Sequence, residues 1–293
     1  MRCFHTLMDT TLLSAIFRRA LSASLVPVCG EFPIPLSCFD AAIPMGGDIP
    51  SDTCASLCGV QYASCSIMSG DLQCSIGCPT GRAYEGMDRP GSLEGTPLQR
   101  HYAETAYLEA AAVDAFLILA GELEAHGAPR ALRKRAKIAA RDEARHWRMT
   151  RRLARRYGPC KKPERAAKRP VRDLAAIALE NAAEGCVRET YGALVAHHQA
   201  ERASDPEVRA LMKAIADDET RHAALGWAVA KWAEARLTPA ERTKVTRARA
   251  TAVAEMTALV TREVPEELVR EAGVPDAASA RRMLASLDSS LWS

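Results

Sequence analysis

Asp142-Glu143-Ala144-Arg145-His146 returns 76 residues later as Asp218-Glu219-Thr220-Arg221-His222, two copies of the pattern Asp-Glu-x-Arg-His. A Glu and a His three residues apart lie on one face of an α-helix, so both can reach a single metal ion from one turn. At ordinary residue frequencies such a match arises by chance in roughly one chain of this length in a thousand. Two matches, each inside a long helical segment, make chance a poor explanation.

Working outward, the pattern predicts helices over 97–126, 130–157, 171–202 and 206–237, separated by Gly127-Ala128-Pro129, by 158–170 and by Ser204-Asp205-Pro206. Each motif sits in the second helix of a hairpin. If extended, residues 158–170 cover roughly 40 Å at about 3.3 Å per residue, one helix length and enough for a crossover along a bundle. Leu132, Ala136, Ala139, Glu143, His146 and Leu153 form an inward stripe on one motif helix; Val208, Met212, Ile215, Glu219, His222, Gly226 and Val229 form the other. Carboxylates on such faces are costly to bury unless paired or bound to metal.

The hairpins also align with each other. Glu109 falls on Glu184 and Phe116 on Tyr191; Glu109 precedes Glu143 by 34 residues and Glu184 precedes Glu219 by 35. Glu104, Asp114, Glu122 and Glu124 are rivals for the first-helix carboxylate, and Asp114 has a counterpart in Glu189, which mirrors the height of Glu219 across the hairpin loop. Register favours Glu109 and Glu184. One Glu from each of two helices and a Glu-x-x-His from each of two others make the ligand set of a carboxylate-bridged di-iron or di-manganese site.

On these residues, 98–237 resembles the ferritin-like superfamily. That resemblance implies an all-α, four-helix bundle with one long crossover. It makes Glu109, Glu143, His146, Glu184, Glu219 and His222 the ligands of two Fe ions, or of Mn and Fe, with Glu143 and Glu219 as bridges. The Asp and Arg of each motif are similar to the signature of oxygen-activating di-iron enzymes. Asp142 and Asp218 would then orient the histidines, with Arg145 and Arg221 paired to them; the plainer reading is helix-surface ion pairs. Tyr191 is either a core residue or a redox tyrosine. Trp147 and Trp227 read as packing residues, His126, His197 and His198 as surface histidines at hairpin ends, and Cys160 and Cys186 as unpaired.

The chain divides into a possible export signal (1–28), a cysteine-rich, loop-rich segment and linker (29–95), the bundle (96–237) and a helical extension (238–293). Eight of the 10 cysteines precede residue 80. Cys29 could carry a lipid, leaving Cys38, Cys54, Cys58, Cys65, Cys74 and Cys78 as an even set for three disulfides in a segment that cannot build its own apolar core. Zinc binding is the alternative, although it wants closer thiolate pairs. The cysteine-rich head also resembles that of exported ferritin-like-domain proteins, which implies a cell-envelope or periplasmic location.

β-branched and aromatic residues are too sparse for a large sheet. A net charge of +3 with both signs interspersed describes a solvated surface better than a nucleic-acid stripe. No apolar run reaches the roughly 18–20 residues needed to cross a bilayer, which leaves a lipid anchor as the only membrane contact expected. Function narrows to an oxidoreductase reacting with O2 or peroxide, with ferroxidation and a structural metal site as alternatives. Nothing resembles the paired Cys-x-x-Cys of a rubredoxin module, so electrons would come from an external donor.

Overall fold

The computed structural model describes residues 82–84, 87, 95–167, 169–259 and 263–292, with the backbone alone of 30–35, 63–68, 71–76 and 259. The export signal, Cys29, Cys38, Cys54, Cys58 and Cys78 lie outside these residues. The cysteine-rich segment contributes β1 (Gly30–Pro35), β2 (Ala63–Met68) and β3 (Asp71–Ile76), an antiparallel sheet in the order β1-β3-β2. Its register sets Cys65 opposite Cys74. A segment whose sequence reads as loop-rich thus holds three short strands.

The rest is helical: α1 (Pro97–Ala125), α2 (Arg130–Ala154), α3 (Leu174–Ala183), a π-helical turn (Glu184–Arg188), α4 (Glu189–Arg202), α5 (Pro206–Glu234), α6 (Pro239–Leu259), α7 (Glu266–Glu271), α8 (Ala277–Leu287) and a closing π-turn (Asp288–Trp292). Short polar side chains start several of them. Thr96 Oγ1 accepts from Gln99 N–H at 3.3 Å, Asp173 Oδ1 from Ala176 N–H at 2.7 Å and Asp205 Oδ1 from Glu207 N–H at 2.8 Å, each satisfying an orphan donor of a first turn. Gly127, at φ 66°, turns α1 into α2. No described helix is long and apolar enough to cross a membrane.

The crossover between α2 and α3 runs the length of α1. Gly158 abuts Gln99 near the start of α1. Asp114 at mid-helix accepts from Ala166 N–H at 2.9 Å and pairs with Arg165 at 3.0 Å. At the far end Arg172 clamps Glu122 at 2.7 and 2.8 Å and Glu180 at 2.6 and 3.1 Å. His126, expected at the surface, is partly buried there with Nε2 2.8 Å from Arg172 O. Asp114 and Glu122 are thereby committed to holding the chain path.

Two apolar clusters fill the ends of the bundle. One gathers Phe116, Leu119, Leu123, Ile177, Leu225 and Val229; the other gathers Tyr102, Leu153, Val208, Met212, Ile215 and Leu268. The residues of both predicted inward stripes are buried. Between the two clusters the core turns polar.

Candidate metal centre

Glu109 comes from the middle of α1, Glu143 and His146 from α2, Glu189 from the first position of α4, and Glu219 and His222 from α5. All six are at most 5% exposed. Glu109, Glu143, His146 and Glu219 each place one ligand atom within 4.8 Å of the others, and Glu189, Glu219 and His222 do the same. Glu219 belongs to both groups.

Ring nitrogens and carboxylates approach without aligning as hydrogen bonds. His146 Nδ1 lies 3.2 Å from Glu219 Oε1, 3.4 Å from Glu109 Oε2 and 3.6 Å from Glu143 Oε2, while His222 Nδ1 lies 3.0 Å from Glu143 Oε1 and 3.6 Å from Glu219 Oε1. Yet both Nδ1 atoms, both oxygens of Glu143 and of Glu189, Glu109 Oε2 and Glu219 Oε1 are buried with no hydrogen-bond partner. Such orphaned groups cost roughly 1–3 kcal/mol each or more when charged. Four carboxylates and two imidazoles converging this way fit a pair of divalent cations, which would satisfy the atoms and offset the charge.

The same crowding governs protonation. Burial and the Glu143 carboxylate push Glu109 well above the usual carboxylate range, and burial and Glu219 do so for Glu189. For Glu143 burial acts upward but is outweighed by His146 and His222, which hold it below its ordinary value. Burial would lower both histidines; the carboxylates around them reverse this, raising His146 strongly and His222 to about 10. Protons and metal ions therefore compete for one set of atoms.

The motif aspartates serve the histidines crosswise. His146 Nε2–H donates to Asp218 at 3.0 Å, whereas His222 Nε2 stands 3.5 Å from Asp142 without a hydrogen bond, so each ring faces the aspartate of the other motif and keeps Nδ1 inward. Arg145 binds Asp142 at 3.0 Å and also contacts Asp218; Arg221 contacts Asp218. Burial raises Asp142, but His222 and Arg145 bring it below its ordinary value. Beyond the rings, Phe116 lies 5.0 Å from His222, centroid to centroid.

Glu184, expected as the third-helix ligand, lies outside both groups. Its carboxylate receives Arg188 and accepts from Ala83 N–H at 3.1 Å. Glu184 and Glu189 are five residues apart, about 140° around a regular helix, but here Glu189 N–H bonds back to Glu184 O, so that both are buried while only Glu189 reaches the cluster. Residues 184–188 form the π-turn, and the inward face is carried by Glu189. Long-range contacts hold this turn. Gly185 packs on the backbone of Gly226, Asn181 Nδ2 donates to Gly226 O at 2.9 Å, and Trp292 Nε1 donates to Cys186 O at 2.9 Å. The sequence carried one trace of it: 35 residues in the second hairpin against 34 in the first.

Glu124, a rival for the first-helix carboxylate, pairs with Arg133 and Lys137 at the surface. Tyr191 is buried, its hydroxyl pushed up by burial. Trp227 Nε1 donates to Thr190 Oγ1 at 3.2 Å, and Cys160 and Cys186 are free thiols. His197 and His198 are partly buried; His197 Nε2 lies 3.0 Å from Thr220 Oγ1.

A four-helix bundle with one long crossover and a buried Glu/His cluster at its centre is a ferritin-like domain that fits a di-iron site. The sequence model of the Rubrerythrin family, within that superfamily, matches residues 104–226, which cover the cluster from α1 to α5. No curated protein and no solved structure matches the chain.

Proposed function

We propose that the protein is a di-iron oxidoreductase that reacts with peroxide or O2 at the bundle centre and takes its electrons from an external donor. The observation that carries this reading is the convergence of eight buried, unpartnered ligand atoms from Glu109, Glu143, His146, Glu189, Glu219 and His222. Glu143 and Glu219, each within 3.6 Å of both imidazoles, would serve both ions. Bound there, an iron pair supplies two one-electron redox steps and positions open to a small oxidant.

The chain's own residues do the rest. Asp218 and Asp142 orient the imidazoles, and Arg145 and Arg221 hold those aspartates in place. A staple would not need such tuning. The apolar clusters above and below exclude bulk water, which strengthens every electrostatic contact inside. Export to an oxidising compartment, with Cys29 lipidated and three disulfides among the other head cysteines, belongs to the same proposal. It rests on the cysteine pattern. Intact mass should rise by about six hydrogens on reduction, and free alkylation of all six thiols would reject it.

The functional test is direct. Ferrous protein prepared without oxygen and mixed with hydrogen peroxide, or separately with O2, should oxidise rapidly with growth of near-ultraviolet absorption, and should turn over when reductant is added. Ferrous protein indifferent to both oxidants would refute the reading; oxidation of added ferrous ion without reductant-driven turnover would replace it with ferroxidation.

A further inference from the structure

The charge of this chain is interspersed only on average. Residues 130–170 hold 17 of its 39 Lys and Arg but 3 of its 36 Asp and Glu. Arg130, Lys134, Arg141, Arg145, Arg148 and Arg155 are all exposed and recur at steps of three, four or seven, so they share the solvent face of α2. That helix is 25 residues long, about 37 Å at 1.5 Å per residue. Of the six, only Arg145 has a carboxylate partner among the described residues. A line of unneutralised cations this dense repels itself, and its field favours an acidic partner.

At mid-stripe the surface meets the metal centre. Arg145 is 44% exposed, yet it binds Asp142 and Asp218, and Asp218 accepts from His146 Nε2. Solvent and a ligand ring are thus two contacts apart. Beside it the half-buried Trp147 ring is flanked by Arg151 at 5.4 Å and Lys162 at 4.6 Å.

We propose that the cationic face of α2 is the docking surface for a small acidic one-electron carrier protein, which delivers electrons to the metal centre beside Arg145. The proposal rests on the oxidoreductase reading. In each delivery the reduced carrier loses one electron and a ferric ion gains one; two deliveries return a diferric pair to the ferrous state. A lipid surface fits less well, since Ile138, at 38% exposure, is the one large apolar side chain exposed along this helix. Duplex DNA, which the same charge would attract, is separated from an acidic protein by the measurement below.

A plant-type [2Fe–2S] ferredoxin serves as the acidic probe. Its binding to the full chain, read by fluorescence anisotropy, should weaken about tenfold or more between roughly 0.02 M and 0.2 M salt. The combined substitution Lys134→Glu, Arg141→Glu and Arg148→Glu should weaken it about as much at low salt, whereas Lys244→Glu with Arg247→Glu on α6 should not. In iron-loaded protein the α2 variant should be reduced more slowly by ferredoxin and at the wild-type rate by dithionite. Salt-independent binding, equal loss in the α6 variant, or an unchanged ferredoxin rate would overturn the proposal. So would a stripe-dependent affinity for duplex DNA, anionic vesicles or a second copy of the chain, with none for ferredoxin. Failure of dithionite-reduced protein to react with peroxide or O2 would instead strike the oxidoreductase reading, which the binding measurement does not depend on.

Discussion

The two hairpins carry the same five-residue motif and build different halves of one centre. In the first, an unbroken α1 presents Glu109 to Glu143 and His146. In the second, the helix opens into a π-turn at Glu184–Arg188 and presents Glu189 to Glu219 and His222. The aspartates differ too. Asp218 gathers His146, Arg145 and Arg221, whereas Asp142 gathers Arg145 and stands 3.5 Å from His222. Repetition of a motif therefore fixes what the motif helices offer, but not which residue of the partner helix meets it.

The largest effect should come from removing what the halves share. Replacing Glu143 and Glu219 together with Ala takes away the two carboxylates between the rings, and elemental analysis should find almost no bound iron or manganese. Stoichiometric metal in that variant would separate the motif from the site.

Next comes the residue that distinguishes the halves. Glu189→Ala should remove much of the bound metal. Glu184→Ala should keep the metal but lower stability by about 1–3 kcal/mol, because it strips Arg188 of a buried partner and leaves the Ala83 N–H without an acceptor. Metal titration with thermal melts of both variants checks this; the reverse pattern would restore the alignment of the hairpins.

Smaller still is the difference between the aspartates. Asp218→Asn should weaken metal binding about 10- to 100-fold, the usual cost of removing a partner that orients a histidine ligand, and Asp142→Asn should cost less. Equal losses in competition titrations would mean that the longer contact to His222 is as strong as the shorter one to His146.

How much of this was legible in the sequence follows the same division. The starts of α1, α2 and α5 and the end of α4 fell within a residue of expectation, because proline, glycine and capping side chains mark them locally. The crossover was legible from its length and lack of periodicity. Glu189 was visible only as a rival, since the turn that selects it is held by Gly226 and by Trp292, 41 and 106 residues beyond Gly185 and Cys186. The crosswise aspartates were hidden for a similar reason: sequence pairs Asp142 with His146, and only the packing of α2 on α5 trades the partners. The stripe on α2 escaped a count of charge over the whole chain.

The least effect on the centre is expected from histidines outside it, one in each hairpin. Burial lowers His101 on α1 to about 4, and burial with Arg202 nearby lowers His198 on α4 to about 4. In the unfolded chain both take up a proton near pH 6.5. The unfolded state therefore binds more protons between about pH 6.5 and 4, and stability falls as the pH drops through that window, by up to about 3 kcal/mol per histidine. Melts of His101→Gln and His198→Gln should show a shallower acid slope with unchanged metal content.

The central claim, that these six side chains hold a pair of redox metals, meets its most direct test in the metal itself. Elemental analysis of the purified chain combined with X-ray absorption should give about two iron or manganese ions per chain, bound by oxygen and nitrogen and close enough to register as neighbours. A chain that takes up no metal, or a single ion bound by sulfur, would contradict it.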